Sequence, residues 1–98
     1  MGAIVHAHPP TVLRLAVLGR LPDPSALDQD ERIFGRVIEV DYAEEGSREL
    51  ATSVGAALDD AVACVLREHG AVTVGDTVET ALRRMLWLER CAVRSRGL

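Results

Sequence analysis

The chain has 98 residues, 48% of them hydrophobic but only 3% aromatic, and a formal net charge of −4 at pH 7. That length allows one small domain whose interior is built from many Ala, Val and Leu contacts. The acidic balance argues against nucleic acid as the main partner, because phosphate binding wants a basic face. No apolar run approaches the roughly 20 residues that span a bilayer, so no membrane role is expected. The N-terminus lacks the charged-then-apolar pattern of a signal peptide. Cys64 and Cys91 have no CxxC spacing and read as reduced, buried thiols of a cytoplasmic protein.

Residues 3–8, Ala-Ile-Val-His-Ala-His, read as a short buried strand. Side chains alternate faces along a strand, so His6 and His8 point the same way. Pro9 and Pro10 stop the strand, since proline has no N–H for a ladder. Pro10 fits the first turn of a helix. The pattern predicts that helix over 10–18, with Val12, Leu13, Ala16 and Val17 on one face, Gly19 at its C-cap and Pro22 just beyond. Residues 20–35 are polar and broken by Pro22 and Pro24. They read either as a mobile loop over a site or as an ordinary solvated connection with one helical turn over 25–30.

Residues 37–40 are rich in β-branched side chains and predict a second strand. A turn over 41–46 follows, then Ser47 as N-cap of an amphipathic helix over 48–58 with Leu50, Val54, Ala57 and Leu58 on its inner face. The continuous apolar run 61–66 predicts a strand buried on both faces. Residues 71–75 predict another, leaving His69 and Gly70 in a tight connection where Gly70 supplies a backbone shape other residues could not. Asp76-Thr77-Val78-Glu79 has the form of a capping box with Asp76 as N-cap. The last helix carries one stripe of Val78, Ala81, Leu82, Met85, Leu88 and Ala92, with Trp87 covering its flank or meeting a neighbouring subunit. Arg90, Arg94 and Arg96 suit the negative pole of its dipole. The order β-α-loop-β-α-β-β-α specifies an α/β fold, a sheet layered with helices.

The three histidines, His6, His8 and His69, all fall at strand ends. Two at strand spacing and one remote make a three-histidine metal site, in which three protein ligands leave a position open for water or substrate. The competing reading is surface or core histidines with backbone partners.

His6-Ala7-His8-Pro9 after Ala-Ile-Val resembles the metal strand of the class II aldolase/adducin family. Tyr42 followed by Gly46-Ser47-Arg48-Glu49-Leu50 resembles that family's lead into its next helix. Residues 65–72, Val-Leu-Arg-Glu-His-Gly-Ala-Val, look like its second metal motif. Asp76-Thr77-Val78-Glu79-Thr80-Ala81 and Leu88-Glu89-Arg90-Cys91-Ala92 are similar to the helix after it. The resemblance covers nearly the whole chain, with its motifs in the family's order.

The resemblance implies a three-layer α/β/α sheet with helices on both faces. Residues 1–98 would form a single domain, truncated on its N-terminal side and corresponding to the family's C-terminal, metal-binding half. It implies His6, His8 and His69 as ligands of zinc, or alternatively of manganese or another divalent metal. It implies an aldolase-type lyase acting on a small sugar phosphate-like hydroxy-carbonyl substrate through an enediolate, with epimerase, dehydratase or decarboxylase chemistry as variants. Family members hold the substrate phosphate on Gly-, Ser-, Thr- and Asn-rich loops of an upstream half, which also supplies an acid/base glutamate. Glu44, Glu45 and Glu68 do not match that glutamate, and a tyrosine some members place after the first helix has no counterpart among residues 20–35, so no catalytic residue is assigned. The alternative is an inactive metal-binding or structural module of the same family. The adducin branch lacks the metal histidines, whereas this chain has all three. Family members are typically tetramers, and a shortened sheet exposes edges, so a homo-oligomer is expected.

Overall fold

The computed structural model describes residues 2–23, 36–41, 43–44 and 46–95. The turn expected over 25–30, together with Tyr42, Glu45 and Arg96, lies outside the described residues. The elements are β1 (Ala3–Ala7), α1 (Pro10–Val17), β2 (Val37–Val40), α2 (Arg48–Asp60), β3 (Ala63–Leu66), β4 (Gly70–Gly75) and α3 (Val78–Ser95). They follow the order read from the sequence.

The four strands form one mixed sheet in the order β1-β4-β3-β2. β3 and β4 are an antiparallel hairpin pairing Leu66 with Gly70, and β1 lies antiparallel to β4 with Ala7 opposite Ala71. β2 runs parallel to β3 and reaches it through α2. A parallel pair needs such a crossover, because a tight turn can join only antiparallel neighbours.

Alternation along the strands divides the interior in two. Ala63, Val65 and Ala71 point to one face and pack with Val12, Leu15 and Ala16 of α1 and Met85, Leu88, Cys91 and Ala92 of α3. Cys64, Leu66 and Val72 point to the other and pack with Leu50 and Ala57 of α2. Helices thus cover both faces, giving three layers. Both cysteines are free and buried, and burial pushes each thiol up to about 11.

Four local expectations are corrected. β1 is not a buried strand: its residues alternate between half-buried and exposed, because it pairs only with β4 and α2 leaves its outer face open. In α1 the inward face is Thr11, Val12, Leu15 and Ala16, while Val17 is exposed. That helix is apolar on nearly every side, so its period could not choose a face; packing against α3 chose it. In α3, Val78 and Leu82 are exposed, and Trp87, Cys91 and Ser95 are buried instead. The helix touches both the sheet and α1, so its buried face is wider than one stripe and shifted from it. Finally, α3 begins at Val78, and Thr77, not Asp76, caps it: the Thr77 hydroxyl accepts from the Thr80 N–H at 3.1 Å.

Other termini form as expected. The Ser47 hydroxyl accepts from the Leu50 N–H at 3.1 Å. α1 ends in a Schellman arrangement, with Gly19 at φ +72° and the N–H groups of Gly19 and Arg20 donating to the carbonyls of Ala16 and Leu15. Just beyond, Arg20 donates to the Ser95 carbonyl at 2.7 Å and the Asp23 N–H donates to the Ser95 hydroxyl at 3.1 Å. The start of the 20–35 segment is therefore pinned to the end of α3.

Candidate metal centre

Two pieces of chain converge at one end of the sheet. β1 carries His6 and releases His8 one residue past its end, and the β3–β4 connection carries His69. Because β4 sits between β1 and β3, the antiparallel register sets that connection beside the end of β1. The imidazole centroids lie 5.0 Å (His6–His8), 4.8 Å (His6–His69) and 5.6 Å (His8–His69) apart. One ring nitrogen from each can be chosen so that all three lie within 4.8 Å of one another. His6 and His8 are exposed and His69 is half-buried. The sequence-predicted site residues are thus all brought together.

The His6 ring is oriented by its own hydrogen bond. Nδ1 lies 2.9 Å from the Ala71 carbonyl oxygen. A carbonyl only accepts, so Nδ1 must carry the proton and Nε2 keeps the lone pair that a metal requires. The bond leaves Nε2 available to an ion, and a histidine with only a structural role could make the same bond.

Gly70 works differently from the expectation. Its φ is not in the left-handed region, so no special backbone shape is involved. A Cβ added there would sit 2.4 Å from the Ala7 carbonyl oxygen, 3.1 Å from Cε1 of His6 and 3.2 Å from Cδ2 of His8. Glycine is required because β1 and both of its imidazoles approach the β4 backbone too closely for any side chain. The left-handed residue is instead Glu68, at φ +63°. It turns the chain between Arg67 and His69, where glycine or asparagine is usual. The turn is tied down on both sides: the Arg67 N–H donates to the Val40 carbonyl at 3.2 Å and the His69 N–H to the Leu66 carbonyl at 3.0 Å. The Arg67 guanidinium also pairs with Glu39 on β2 at 3.0 Å. A strained turn held from two strands gives His69 a defined direction.

Sequence reasoning missed Glu68 and one further contributor, Glu89. The Glu89 carboxylate, on α3, accepts from the N–H groups of Thr11 and Val12 at the start of α1. A signal for it existed. α1 opens on Pro9-Pro10 with no capping side chain and no acid in its first turn, so its free N–H groups had to find an acceptor elsewhere.

An open groove of about 490 Å³ runs from the histidines along α2, lined by Ile4, His6, Leu50, Val54, Leu66 and His69 among others. Within the described residues, no carboxylate joins the histidine cluster. Imidazoles alone form a neutral donor set. Such a set suits zinc and several other divalent transition metals, and leaves a bound ion its full charge.

The sequence model described as "Class II Aldolase and Adducin N-terminal domain" matches residues 1–94. The chain is 34% identical over 93 residues to the 5-methylthioribulose-1-phosphate/5-deoxyribulose-1-phosphate aldolase of Rhodospirillum rubrum, covering 94% of this chain and 42% of that protein. It is 33% identical over 95 residues to the L-fuculose phosphate aldolase of Methanococcus maripaludis, covering 94% of this chain and 49% of that one. Among solved structures, a sugar-phosphate aldolase from Thermotoga maritima superposes with a TM-score of 0.78 at 27% identity, over 92% of this chain and 41% of that one. The chain therefore spans less than half the length of the relatives it matches.

Proposed function

From the premise that the chain belongs to the class II aldolase and adducin family, we propose that His6, His8 and His69 hold one divalent metal ion, zinc first and manganese or another divalent ion as the alternative. The site on this reading serves an aldolase-type lyase acting on a small, phosphorylated hydroxy-carbonyl compound. The observation that carries the reading is the convergence of three ring nitrogens to within 4.8 Å from two separate segments of chain. When bound, a divalent ion with three neutral ligands supplies Lewis acidity toward the oxygens of such a substrate. The work of this chain's own residues is positional. His6 is held in one tautomer by the Ala71 carbonyl, Gly70 lets β1 approach, and the Glu68 turn directs His69. The acid–base role is assigned to no residue here.

The relatives' names supply the substrate class: 5-methylthioribulose 1-phosphate, 5-deoxyribulose 1-phosphate and L-fuculose phosphate are sugar phosphates. The reading extends to residues 1–98 as one domain and to a cytoplasmic location, which two buried free thiols support. It also includes a homo-oligomer, tetrameric by family resemblance, supported by the exposed Val78, Leu82 and Leu86 on α3.

A second reading, a metal-binding or structural module without turnover, is favoured by one observation: no carboxylate lies in the cluster among the described residues. Two measurements test the pair. Metal content of the purified chain should fall to background in His6→Ala and in His69→Ala; unchanged content sinks the three-histidine site. Aldol cleavage of L-fuculose 1-phosphate by the 98-residue chain supports the lyase reading, and bound metal without cleavage supports the module.

A further inference from the structure

We propose that Glu89 is a positioning residue for the histidine centre: its carboxylate replaces the missing N-cap of α1 and so holds the Pro9-Pro10 link, and His8 with it, in place. This rests on the reading of His6, His8 and His69 as metal ligands.

The start of α1 can be accounted for donor by donor. A helix leaves its first N–H groups without partners inside the helix. Pro10 has none to offer, and the Leu13 N–H already donates to the Pro9 carbonyl at 3.1 Å. Thr11 and Val12 remain, and both residues are buried, at 7% and 0% exposure. Water cannot serve them freely, the Pro9 side chain offers no acceptor, and the first turn contains no acid. Glu89 serves both. Its Oε1 accepts from Thr11 at 2.9 Å and from Val12 at 3.0 Å, and Oε2 accepts a second contact from Thr11 at 3.1 Å. These bonds are charge-assisted, and the negative charge stands at the positive end of the helix dipole.

The link to His8 is short and stiff. Only Pro9 and Pro10 separate His8 from Thr11, and each proline fixes its own φ. Pro9 is buried, with φ −67° and ψ 123°. Where α1 begins therefore decides where the His8 backbone leaves β1. The His8 side chain has no hydrogen bond of its own among the described residues; its ring lies against those of His6 and His69 and close to Gly70. His6 has the Ala71 carbonyl to orient it. His8 depends on its backbone, and its backbone depends on Glu89.

A Glu89 that merely stabilised the fold would lower the melting temperature and leave the site's geometry alone. The discriminating probe is Co²⁺, whose visible d–d bands report ligand arrangement. In Glu89→Gln, which loses the charge and one acceptor oxygen, Co²⁺ affinity should fall about 10- to 100-fold, the usual effect of removing an outer-shell partner, and the bands should shift. Glu89→Asp, still anionic, should recover part of the loss. Thr77→Ala, which weakens α3 at its opposite end, should keep wild-type affinity and bands. Wild-type affinity and bands in Glu89→Gln overturn the proposal, as does an equal change in Thr77→Ala. If Glu89→Gln does not fold, Glu89→Asp carries the same comparison. If the wild-type chain takes up no Co²⁺, the metal reading fails by itself. Positioning is then read on the metal-free chain from the His8 imidazole NMR resonances. A shift in the Glu89 variant beyond that in Thr77→Ala supports the role, and unchanged resonances overturn it.

Discussion

Replacing Gly70 with alanine inserts one methyl group between β4 and β1. Its carbon would stand 2.4 Å from the Ala7 carbonyl oxygen, so the strands must separate by roughly 1 Å to restore an ordinary contact. The obstacle is backbone, not the end of a flexible side chain, so β1 as a whole has to move. Overpacking of this kind costs about 1–3 kcal/mol. The displacement also lengthens the bond between His6 Nδ1 and the Ala71 carbonyl, now 2.9 Å, which adds about 1 kcal/mol. The sum, about 2–4 kcal/mol, is a large share of the 5–15 kcal/mol typical of a domain. For a chain of this size it lowers Tm by roughly 10–30 °C. Gly55 is the control: it lies within α2, and a Cβ there would meet nothing within 4 Å. Gly55→Ala should instead stabilise by about 1 kcal/mol, since glycine is a poor helix former. Urea melts of both variants measure the two effects, and Zn²⁺ titration of Gly70→Ala should show weakened binding because both β1 imidazoles move. A Gly70→Ala variant within 0.5 kcal/mol of wild type on the scale of ordinary surface changes, with unaltered Zn²⁺ affinity, would refute the close-approach argument.

Other consequences follow from single residues. Glu68 is exposed at φ +63°, so Glu68→Asn should stabilise by up to about 1 kcal/mol and Glu68→Val should destabilise by about 1–2 kcal/mol, read from denaturant midpoints. Thr77→Ala should cost about 1 kcal/mol through loss of the α3 cap, and Asp76→Ala much less; the reverse order would restore Asp76 as the cap. Cys64 and Cys91 have thiols raised from 9.0 to about 11. Below pH 9 both folded and unfolded chains hold these protons, so stability is unaffected. Between about pH 9 and 11 the unfolded chain releases them and the folded chain does not, so stability should fall with rising pH, by up to about 1.4 kcal/mol per pH unit for each thiol. Urea melts at pH 8 and pH 10 measure this, and stability that rises over the interval would contradict the burial of both thiols.

Periodicity and punctuation carried much of the fold. The apolar run 61–66 read best as a strand buried on both faces, and the strand forms over Ala63–Leu66; Ser47 with its following leucine and valine spacing marked α2 closely. These signals are local, depending on a few neighbouring residues and the fixed periods of helix and strand. Helix faces were less legible. α1 is apolar nearly all round, so its spacing put Val17 on the inner face, whereas packing buries Leu15 and leaves Val17 in water. Likewise α3 buries Trp87 and exposes Leu82 because it has two neighbours at once.

The candidate centre divides the same way. Sequence alone placed the three histidines: His6 and His8 share a face because strand side chains alternate, and His69 falls in a tight connection because an apolar run ends before it and another starts after it. What brought His69 to the other two was the placement of β4 between β1 and β3, a choice of strand order that no local pattern encodes. The supports of the site are tertiary for the same reason. Gly70 is small because β1 passes beside it, and Glu89 is acidic because its carboxylate meets the start of α1, 77 residues away in sequence at Val12. Each of those residue choices answers a neighbour distant in the chain, and becomes readable only when the fold has brought that neighbour near.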